Sequence, residues 1–229
     1  MKNFKKSSFY QAALLFVLIA FFSSCLTSKK MDKFVADQYG DQIPAQDKKK
    51  KADITVTSGL AGATGNISTT VQKTSKVWPL IVYWQWDYRH TCALNPAIGV
   101  NNFSNTVNTL AGKSLSPKLN GKKLELMVEQ MPASFALVDK AHLIWIIYAI
   151  TWDKIYIEPD FKALVVAYKA PQPDGSFKTG KITIKNAEER TGIRFFQSWK
   201  SATSEYLDRY NAGITDMAKI FISKLVAEL

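Results

Sequence analysis

The sequence is poor in the two residue types that most often staple small exported domains or build metal sites. Among its 229 residues there are two cysteines, Cys25 and Cys92, and two histidines, His90 and His142. Two cysteines cannot form the disulfide framework of a small secreted domain. A domain of about 150 residues or more buries roughly two thirds of its unfolded surface, so we expect core packing alone to stabilise this fold.

Long apolar runs are missing as well. The apolar run at residues 12–22 is shorter than the roughly 20 residues that a membrane-spanning helix requires. It follows a segment that contains Lys2, Lys5 and Lys6, and a basic segment followed by a short apolar one is typical of an export signal. The pattern therefore predicts a leader that is removed, and not a transmembrane helix.

The leader ends in Phe22, Ser23 and Ser24, and Cys25 follows it. Ordinary signal peptidase prefers a small residue at the position of Phe22, three before the cysteine. An apolar residue, two small residues and a cysteine resemble the lipobox of bacterial prolipoproteins. The resemblance implies cleavage before Cys25, diacylation of its thiol and acylation of its freed amine. Such chains, palmitate among them, attach a protein stably to a bilayer once two or more are present.

The residues after Cys25, at positions 26–30, include no aspartate or glutamate. In the lipoproteins that this sequence resembles, an acidic residue at the second position causes inner-membrane retention in some bacteria, and an acidic cluster causes surface display in others. The resemblance therefore implies an anchor in the outer membrane with the domain facing the periplasm. Surface display is the alternative.

Acidic residues are scarcer than basic ones. Of the 30 basic residues three belong to the leader, which leaves 27 against 19 acidic ones and a net charge of +8. This balance is compatible with an anionic membrane surface and equally with solubility alone. The dense run Lys48–Lys51 is typical of a solvated segment. We therefore expect the membrane at Cys25 and an envelope protein complex as partners, and no nucleic acid.

These features divide the chain into a lipoprotein signal peptide at residues 1–24, a lipid-anchored flexible tether at 25–53 and one globular domain at 54–229. The tether mixes lysine, aspartate and glutamine and shows no sustained apolar period, so it cannot bury enough surface to order itself. A tether of this length lets the domain stand off the membrane. A short helix around Met31 to Tyr39 is the alternative for part of it.

Alternating and helical apolar patterns predict a single α+β domain with a mostly antiparallel sheet and helices on one face. The run at 143–150 is almost wholly apolar, which is typical of a central strand covered on both faces. In chain order we predict strands at 54–57 and 80–94, a helix from Asn95 and Pro96 to Gly112, strands at 123–131 and 143–150, a hairpin of 161–170 with 177–185, and a helix from about 201.

The most distinctive stretch is the second predicted strand. Alternation places Trp84, Trp86 and Tyr88 on one face and Asp87 and Arg89 on the other. Exposed aromatic rings can stack on sugars or other flat ligands while Asp87 supplies hydrogen bonds, so these five are the predicted ligand-binding residues. The alternative is a core strand whose aromatic face packs on helices, with Asp87 and Arg89 solvated or paired across strands. Solvent exposure of Trp84 and Trp86 separates the two interpretations.

The sequence contains no convincing catalytic or metal-binding set. His90, Cys92 and His142 could form a nucleophile with its base or part of a zinc site, but zinc usually needs four ligands and a thiol nucleophile needs an orienting third group. Buried, inert side chains are the expectation. Glu125 and Glu129 share one side of a strand about 13 Å apart, beyond the roughly 9.5 Å of a glycosidase pair. We predict no catalytic residue, no metal and no cofactor.

Two functions remain open from the sequence. The first is an envelope lipoprotein that acts as a non-enzymatic accessory, scaffold or binding subunit of a periplasmic or outer-membrane complex, which the anchor and the tether favour. The second is a sugar-binding protein or hydrolase with a site around Tyr83 to Cys92.

Overall fold

The computed structural model describes residues 26–40, 53–60, 66–78, 83–145, 149–194 and 196–229. The predicted leader and Cys25 lie outside the described residues, and so do positions 41–52 of the predicted tether. Export and lipid attachment therefore stay predictions.

The described residues form a single domain of the predicted α+β class. The helices are α1 (Ser28–Val35, continued by a π-helical turn at Ala36–Gly40), α2 (Pro96–Ser114), α3 (Ser116–Leu119) and α4 (Trp199–Glu228). The strands are β1 (Ile54–Ser58), β2 (Ser68–Trp78), β3 (Tyr83–Ala93), β4 (Leu124–Gln130), β5 (Ser134–Trp145), β6 (Ala149–Pro159), β7 (Leu164–Pro171), β8 (Phe177–Ile184) and β9 (Thr191–Gly192).

Within the described residues the strands divide between two sheets, where the sequence indicated one. The four-stranded sheet has the order β1-β4-β7-β8, and the five-stranded sheet has the order β2-β3-β5-β6-β9. β1 pairs with β4 in parallel. The neighbouring pairs in the five-stranded sheet, and β4-β7 and β7-β8 in the other, are antiparallel, so the mostly antiparallel arrangement is confirmed.

Helices α2 and α4 cover one face of the four-stranded sheet. On β4 the alternate residues Leu124, Leu126 and Val128 are buried, while the residues between them are exposed or half-buried. The aromatic rings of Phe103 in α2 and Phe221 in α4 meet edge to face, with their centroids 5.4 Å apart. This packing gives the domain its main apolar core, because each side chain buried in it is removed from water.

Local signals fixed several of these elements. Asn95 caps α2, since its side-chain oxygen accepts a hydrogen bond from the backbone N–H of Ala97 at 3.0 Å, and Pro96 occupies the first turn. In the turn between β7 and β8 the carboxylate of Asp174 accepts from a backbone N–H, and Gly175 has φ +87°. The predicted helix at 95–112, the strand at 123–131, the hairpin and the C-terminal helix are all confirmed, with ends shifted by a few residues.

The N-terminal part of the predicted tether is folded. Met31 and Val35 in α1 are fully buried, and Tyr39 in the π-helical turn is nearly so. The Tyr39 hydroxyl donates a hydrogen bond to Oδ1 of Asn211 in α4 at 2.8 Å. Three apolar residues at a spacing of four form one helical stripe, which is enough to dock a short helix on a larger core. Residues 26–40 of the predicted tether therefore belong to the folded domain, and its residues 41–52 lie outside the described residues.

The prediction of one central strand at 143–150 is wrong. Residues 143–145 end β5 and residues 149–150 begin β6, and the two strands pair with each other, Ile144 opposite Ile150. Residues 146–148 between them lie outside the described residues. An unbroken apolar run has no period that distinguishes one covered strand from the two apolar arms of a hairpin.

Candidate functional site

Strand β3 lies inside the five-stranded sheet, between β2 and β5. Its register places Trp84, Trp86 and Tyr88 on one face of the sheet, and Asp87 and Arg89 on the other. The five predicted ligand-binding residues therefore do not line one pocket, because the sheet itself separates the two groups. Ligand binding by either group stays a prediction.

One end of β3 belongs to the core. Cys92 is fully buried and His90 is nearly so. Burial raises the pKa of the Cys92 thiol to about 11. Burial, and after it the positive charge of Lys73, lowers the pKa of the His90 imidazole. Near neutral pH the thiol is thus protonated and the imidazole is uncharged, which is the opposite of an activated thiolate with its histidine. The core interpretation holds for this end of the strand.

The third member of that candidate set is on the other face of the sheet. Nδ1 of His142 lies 2.9 Å from the hydroxyl of Tyr83, which also donates a hydrogen bond to Gln85. In the part of the chain that the structure describes, no three histidine, cysteine or acidic side chains are placed to hold a metal ion. Glu125 and Glu129 form ion pairs with two different lysines, Lys169 and Lys181 respectively.

The aromatic face opens to solvent towards the other end of β3. Trp84 is 46% exposed and Trp86 is half-buried. Their rings meet edge to face, with centroids 5.4 Å apart and planes inclined by 62°. The indole N–H of Trp84 donates a hydrogen bond to Oγ of Ser75 at 3.0 Å, and the ammonium of Lys73 lies over the ring of Tyr88. Because the two indole planes are inclined, they do not form one flat platform for a sugar ring.

On the opposite face the charged groups pair with one another. The Lys140 ammonium lies 2.9 Å from a carboxylate oxygen of Asp87, and this hydrogen bond raises the pKa of Lys140. Glu158 receives hydrogen bonds from both Arg89 and Arg190. Burial alone would raise the pKa of Glu158, but the hydrogen bonds and charges of the two arginines outweigh it and lower that pKa. These side chains are held in place by ion pairs within the sheet.

A groove of about 410 Å³ lies beside this ion-pair network. The carboxylate of Asp160 in the groove accepts hydrogen bonds from the backbone N–H of Ala133 and the hydroxyl of Ser134, both at 3.2 Å. The groove has acidic, basic and aromatic walls, so its chemistry suits a small polar ligand. It is lined by Arg89, Thr91, Ser134, Phe135, Ala136, Glu158, Pro159, Asp160, Phe161 and Lys162.

The end of the five-stranded sheet opposite Cys92 carries an exposed apolar surface, which we call the apolar end. It is built from two rows across three strands, and the first row consists of Val77, Trp84 and Leu143 on one face. The second row lies on the other face and consists of Trp78, Tyr83 and Ile144. Val77 and Trp78 are each 62% exposed, so no described element covers them.

Sequence reasoning singled out Tyr83 and Trp84 but missed the other members of the apolar end. The signal was present, because residues 77–84 and 143–150 are two apolar stretches with few charged residues. Each was interpreted as part of one strand. Only the pairing of β3 with β5, Trp84 opposite Leu143, shows that the two stretches meet at the same end of one sheet.

Known proteins do not identify the chain. No family model, no curated protein and no solved structure matches it. None of the described helices is long and apolar enough to cross a membrane.

Proposed function

We propose that this protein is an exported, lipid-anchored envelope lipoprotein that acts as a non-enzymatic accessory or scaffold subunit of a periplasmic or outer-membrane complex. The observation that carries the proposal is the apolar end, an exposed apolar surface at one end of the five-stranded sheet. Contiguous exposed apolar surface of this kind marks sites where proteins contact other proteins or membranes. The predicted leader and Cys25, which follows it, support export and attachment to a membrane.

The start of α1 bears on how close the domain lies to its anchor. Only Leu26 and Thr27 separate Cys25 from α1, which begins at Ser28. α1 packs on the core through Met31. Three residues reach at most about 11 Å when extended, so an acylated Cys25 holds the folded domain directly against the membrane. This differs from the long stand-off that the sequence suggested and favours a function at the bilayer.

The state of the titratable groups on β3 and of Glu158 beside it supports a non-enzymatic function. A general acid or base must reach its substrate with a pKa near the working pH. His90 and Cys92 are buried, and burial shifts the pKa of each towards its uncharged form. Asp87 and Glu158 are held in ion pairs with basic side chains.

The anchor is tested by labelling cells with a clickable fatty acid. We expect label in the wild type, no label in Cys25→Ala, and full label in Cys92→Ala, which is the same substitution at the other cysteine. The Cys25→Ala protein should also be absent from the lipid-modified fraction, whereas the Cys92→Ala protein should be found in it. Label that persists in Cys25→Ala would overturn the lipoprotein assignment.

The scaffold function is tested by mild crosslinking in cells, followed by purification of the full chain. We expect one or a few envelope proteins to be recovered with the wild type and lost with Cys25→Ala, because the unanchored protein no longer lies beside them. Recovery of a monomer alone from the wild type would refute the scaffold function and leave the anchor intact.

A second candidate function, binding or hydrolysis of a sugar, is favoured by the groove beside Arg89 and Glu158. Titration of the protein with envelope glycan fragments tests it by calorimetry. If the groove binds sugar, Glu158→Gln should weaken binding at least about tenfold, since it removes one charged partner of a hydrogen-bond network. Glu125→Gln, in the other sheet, should leave the affinity unchanged. Absence of binding to every fragment excludes this candidate.

A further inference from the structure

We propose that the exposed basic face of α1 lies on the anionic headgroups of a lipid bilayer, beside the lipid on Cys25, and so orients the domain at the membrane. The basic face consists of Lys29, Lys30 and Lys33. The inference rests on the proposed function, because that function places acyl chains at Cys25. It goes further by naming the surface that meets the membrane and the surface that is left for a protein partner.

Helix α1 has two opposite sides. Met31 and Val35 are fully buried against the core. The three lysines of the basic face are exposed to solvent, and at 3.6 residues per turn they project from the side opposite the buried pair. Within the described residues neither Lys29 nor Lys33 forms an ion pair. The outer side of α1 therefore presents positive charge to whatever lies beside it.

The acidic residues of this segment do not neutralise the basic face. Asp32 is the one acidic residue of α1, and its Oδ1 is buried. Asp37, in the π-helical turn that follows, is exposed. The outer side of the segment thus carries three lysines against one aspartate. A surface of this charge is complementary to an anionic bilayer.

Helix α4 extends the positive surface. The ring of Phe34 in α1 meets the indole of Trp199 edge to face, with centroids 5.4 Å apart. The ammonium of Lys200 lies over both rings, 5.9 Å from the centroid of Phe34 and 5.8 Å from that of Trp199. Residues four apart are neighbours on a helix, so Phe34 lies beside Lys30. Aromatic rings next to lysines are typical of proteins that lie at the headgroup layer.

The basic face begins close to the predicted anchor. Leu26 packs against the core, and the side chain of Thr27 accepts a hydrogen bond from the backbone N–H of Lys30 at 3.3 Å, which caps α1. The basic face then spans about 6 Å along the helix axis, at 1.5 Å per residue. Acyl chains on Cys25 therefore keep it near the headgroups, where each lysine strengthens binding about fivefold. An acidic protein would have to enter between this face and the bilayer.

The position of α1 leaves the apolar end outside this contact. α1 contacts β2 and β3. Burial raises the pKa of the Cys92 thiol and the negative charge of Asp32 adds to that rise, so α1 lies near Cys92. From Trp84 to Cys92, β3 spans about 27 Å at the usual rise per residue. While α1 meets the membrane, the apolar end thus stays available to a protein of the envelope complex.

The test uses residues 26–229, which contain every described element but neither the leader nor Cys25. The partition coefficient is measured by sedimentation at low salt with an excess of vesicles. One set contains about three parts phosphatidylethanolamine to one part phosphatidylglycerol, an anionic mixture, and the other contains uncharged phosphatidylcholine alone. We expect at least about tenfold stronger binding to the anionic set. Salt at about 0.5 M should abolish it, because the Debye length falls to about 4 Å.

Removal of the three charges should release the protein from the vesicles. Lys29→Gln, Lys30→Gln and Lys33→Gln together should lower the partition coefficient into anionic vesicles at least about thirtyfold, since each lysine contributes about fivefold. Glutamine keeps the helix propensity of lysine. Thermal unfolding of the variant and the wild type is compared, so that binding is interpreted only for folded protein.

The control removes the same charge from other elements. Lys76, Lys123 and Lys185 are exposed, as the basic face is. Their combined replacement by glutamine should change the partition coefficient by less than about twofold, because lysines away from the headgroups add little attraction. Equal losses in the two triple variants would overturn the inference, since net charge alone would then explain the binding.

Orientation is measured by the rate at which an acetylating ester modifies each lysine, followed by mass spectrometry with and without anionic vesicles. Vesicles should slow modification of Lys29, Lys30 and Lys33, because headgroup contact shields their ammonium groups. Modification of Lys123 and Lys185 should keep its rate. Equal slowing at all five lysines would contradict the proposed orientation.

Two further outcomes would also overturn the inference. One is failure of the wild-type segment to bind anionic vesicles. The other is binding of polyglutamate through the basic face without binding of vesicles, which would assign this face to an acidic protein. In either case the fatty-acid label on Cys25 still decides the proposed function separately. Vesicle binding through the basic face without label on Cys25 would refute the lipoprotein assignment and keep the basic face as a membrane contact.

Discussion

Strand β3 has two ends that share one alternating pattern and have opposite surroundings. At one end Cys92 is fully buried, and its neighbour across the sheet, Phe135, meets the ring of Tyr206 in α4 with centroids 4.9 Å apart. At the other end Trp84 is 46% exposed and its neighbour Leu143 is half-buried. The same alternating pattern thus leads to core at one end and to open surface at the other.

The comparison teaches that apolar residues in this sheet serve two purposes. Burial stabilises the fold in proportion to the apolar area removed from water. The rings at the Cys92 end contribute that stability, whereas those at the Tyr83 end keep much of their area in solvent. Surface that does not stabilise the fold remains available for contact with something else.

The largest expected difference between the two ends is chemical accessibility. In the segment 26–229 Cys92 is the single cysteine. Its burial and its pKa of about 11 should slow alkylation by iodoacetamide at least about a thousandfold relative to the unfolded chain, because reaction requires opening of the core. The measurement is the alkylation rate with and without urea. Similar rates in both conditions would mean that the Cys92 end is open.

Alanine substitutions at the two ends should differ in stability. Phe135→Ala should lower the free energy of unfolding by about 3–5 kcal/mol, as expected for a buried phenylalanine. Trp84→Ala should lower it by about 1 kcal/mol or less, since an exposed ring loses little burial. Urea unfolding followed by circular dichroism gives both values. Equal losses would show that both ends are core.

Between the two ends of β3, the ion pairs of the sheet should make a smaller contribution to stability. Glu158→Gln should cost about 1–2 kcal/mol near neutral pH, because Arg89 and Arg190 lose a charged acceptor while remaining partly exposed to water. The arginines lower the pKa of Glu158 in the folded state. Its contribution is therefore present above the unfolded pKa of a glutamate and is lost as the pH falls through the folded pKa.

Urea midpoints of the wild type and Glu158→Gln, measured across the acid range, check this sign. The gap between the two proteins should close as the pH falls. A gap that widens in acid would contradict the assigned pKa direction. Glu125→Gln serves as the control, because the ion pair of Glu125 with Lys169 is exposed and should contribute little.

The smallest effect is expected at Glu188, beside α4. Burial raises its pKa, and the hydroxyl of Tyr206 donates to its carboxylate at 3.4 Å. A carboxyl group with a raised folded pKa makes the protein less stable as the pH rises from the unfolded to the folded pKa. Glu188→Gln should thus equal or slightly exceed the wild type in stability above neutral pH. A loss of stability there would show that the ionised form is needed.

Elements with a complete local signal could be predicted from the sequence. The capping residue Asn95 with Pro96 marked the start of α2, alternation marked β4, and the turn at Asp174 and Gly175 marked the β7-β8 hairpin. In these segments the hydrogen bonds and the apolar period are set by residues close together in the chain. The helix that contains Met31 was underestimated from the sequence. A short helix is stabilised mainly by packing on a core, and here that core is formed by residues far along the chain.

The candidate site could be predicted only in part. Alternation alone separated Trp84 and Trp86 from Asp87 and Arg89, and the structure keeps that separation. It did not indicate which end of the strand is covered, since period-two alternation is the same along its whole length. Glu158, the partner of Arg89 in the ion-pair network, lies 69 residues further along the chain and leaves no local trace beside Arg89.

By itself the sequence determined the class of the fold and the two-sided pattern of β3, and it predicts a leader with a lipobox-like end at Cys25. These follow from composition and from short-range spacing. The tertiary structure decided that α1 packs on the core, that the strands separate into two sheets, and that Trp78, Trp84 and Leu143 lie at one end of the five-stranded sheet, where no described element covers Trp78. Such meetings depend on long-range strand pairing, in which residues distant in sequence become neighbours, and no local pattern specifies them.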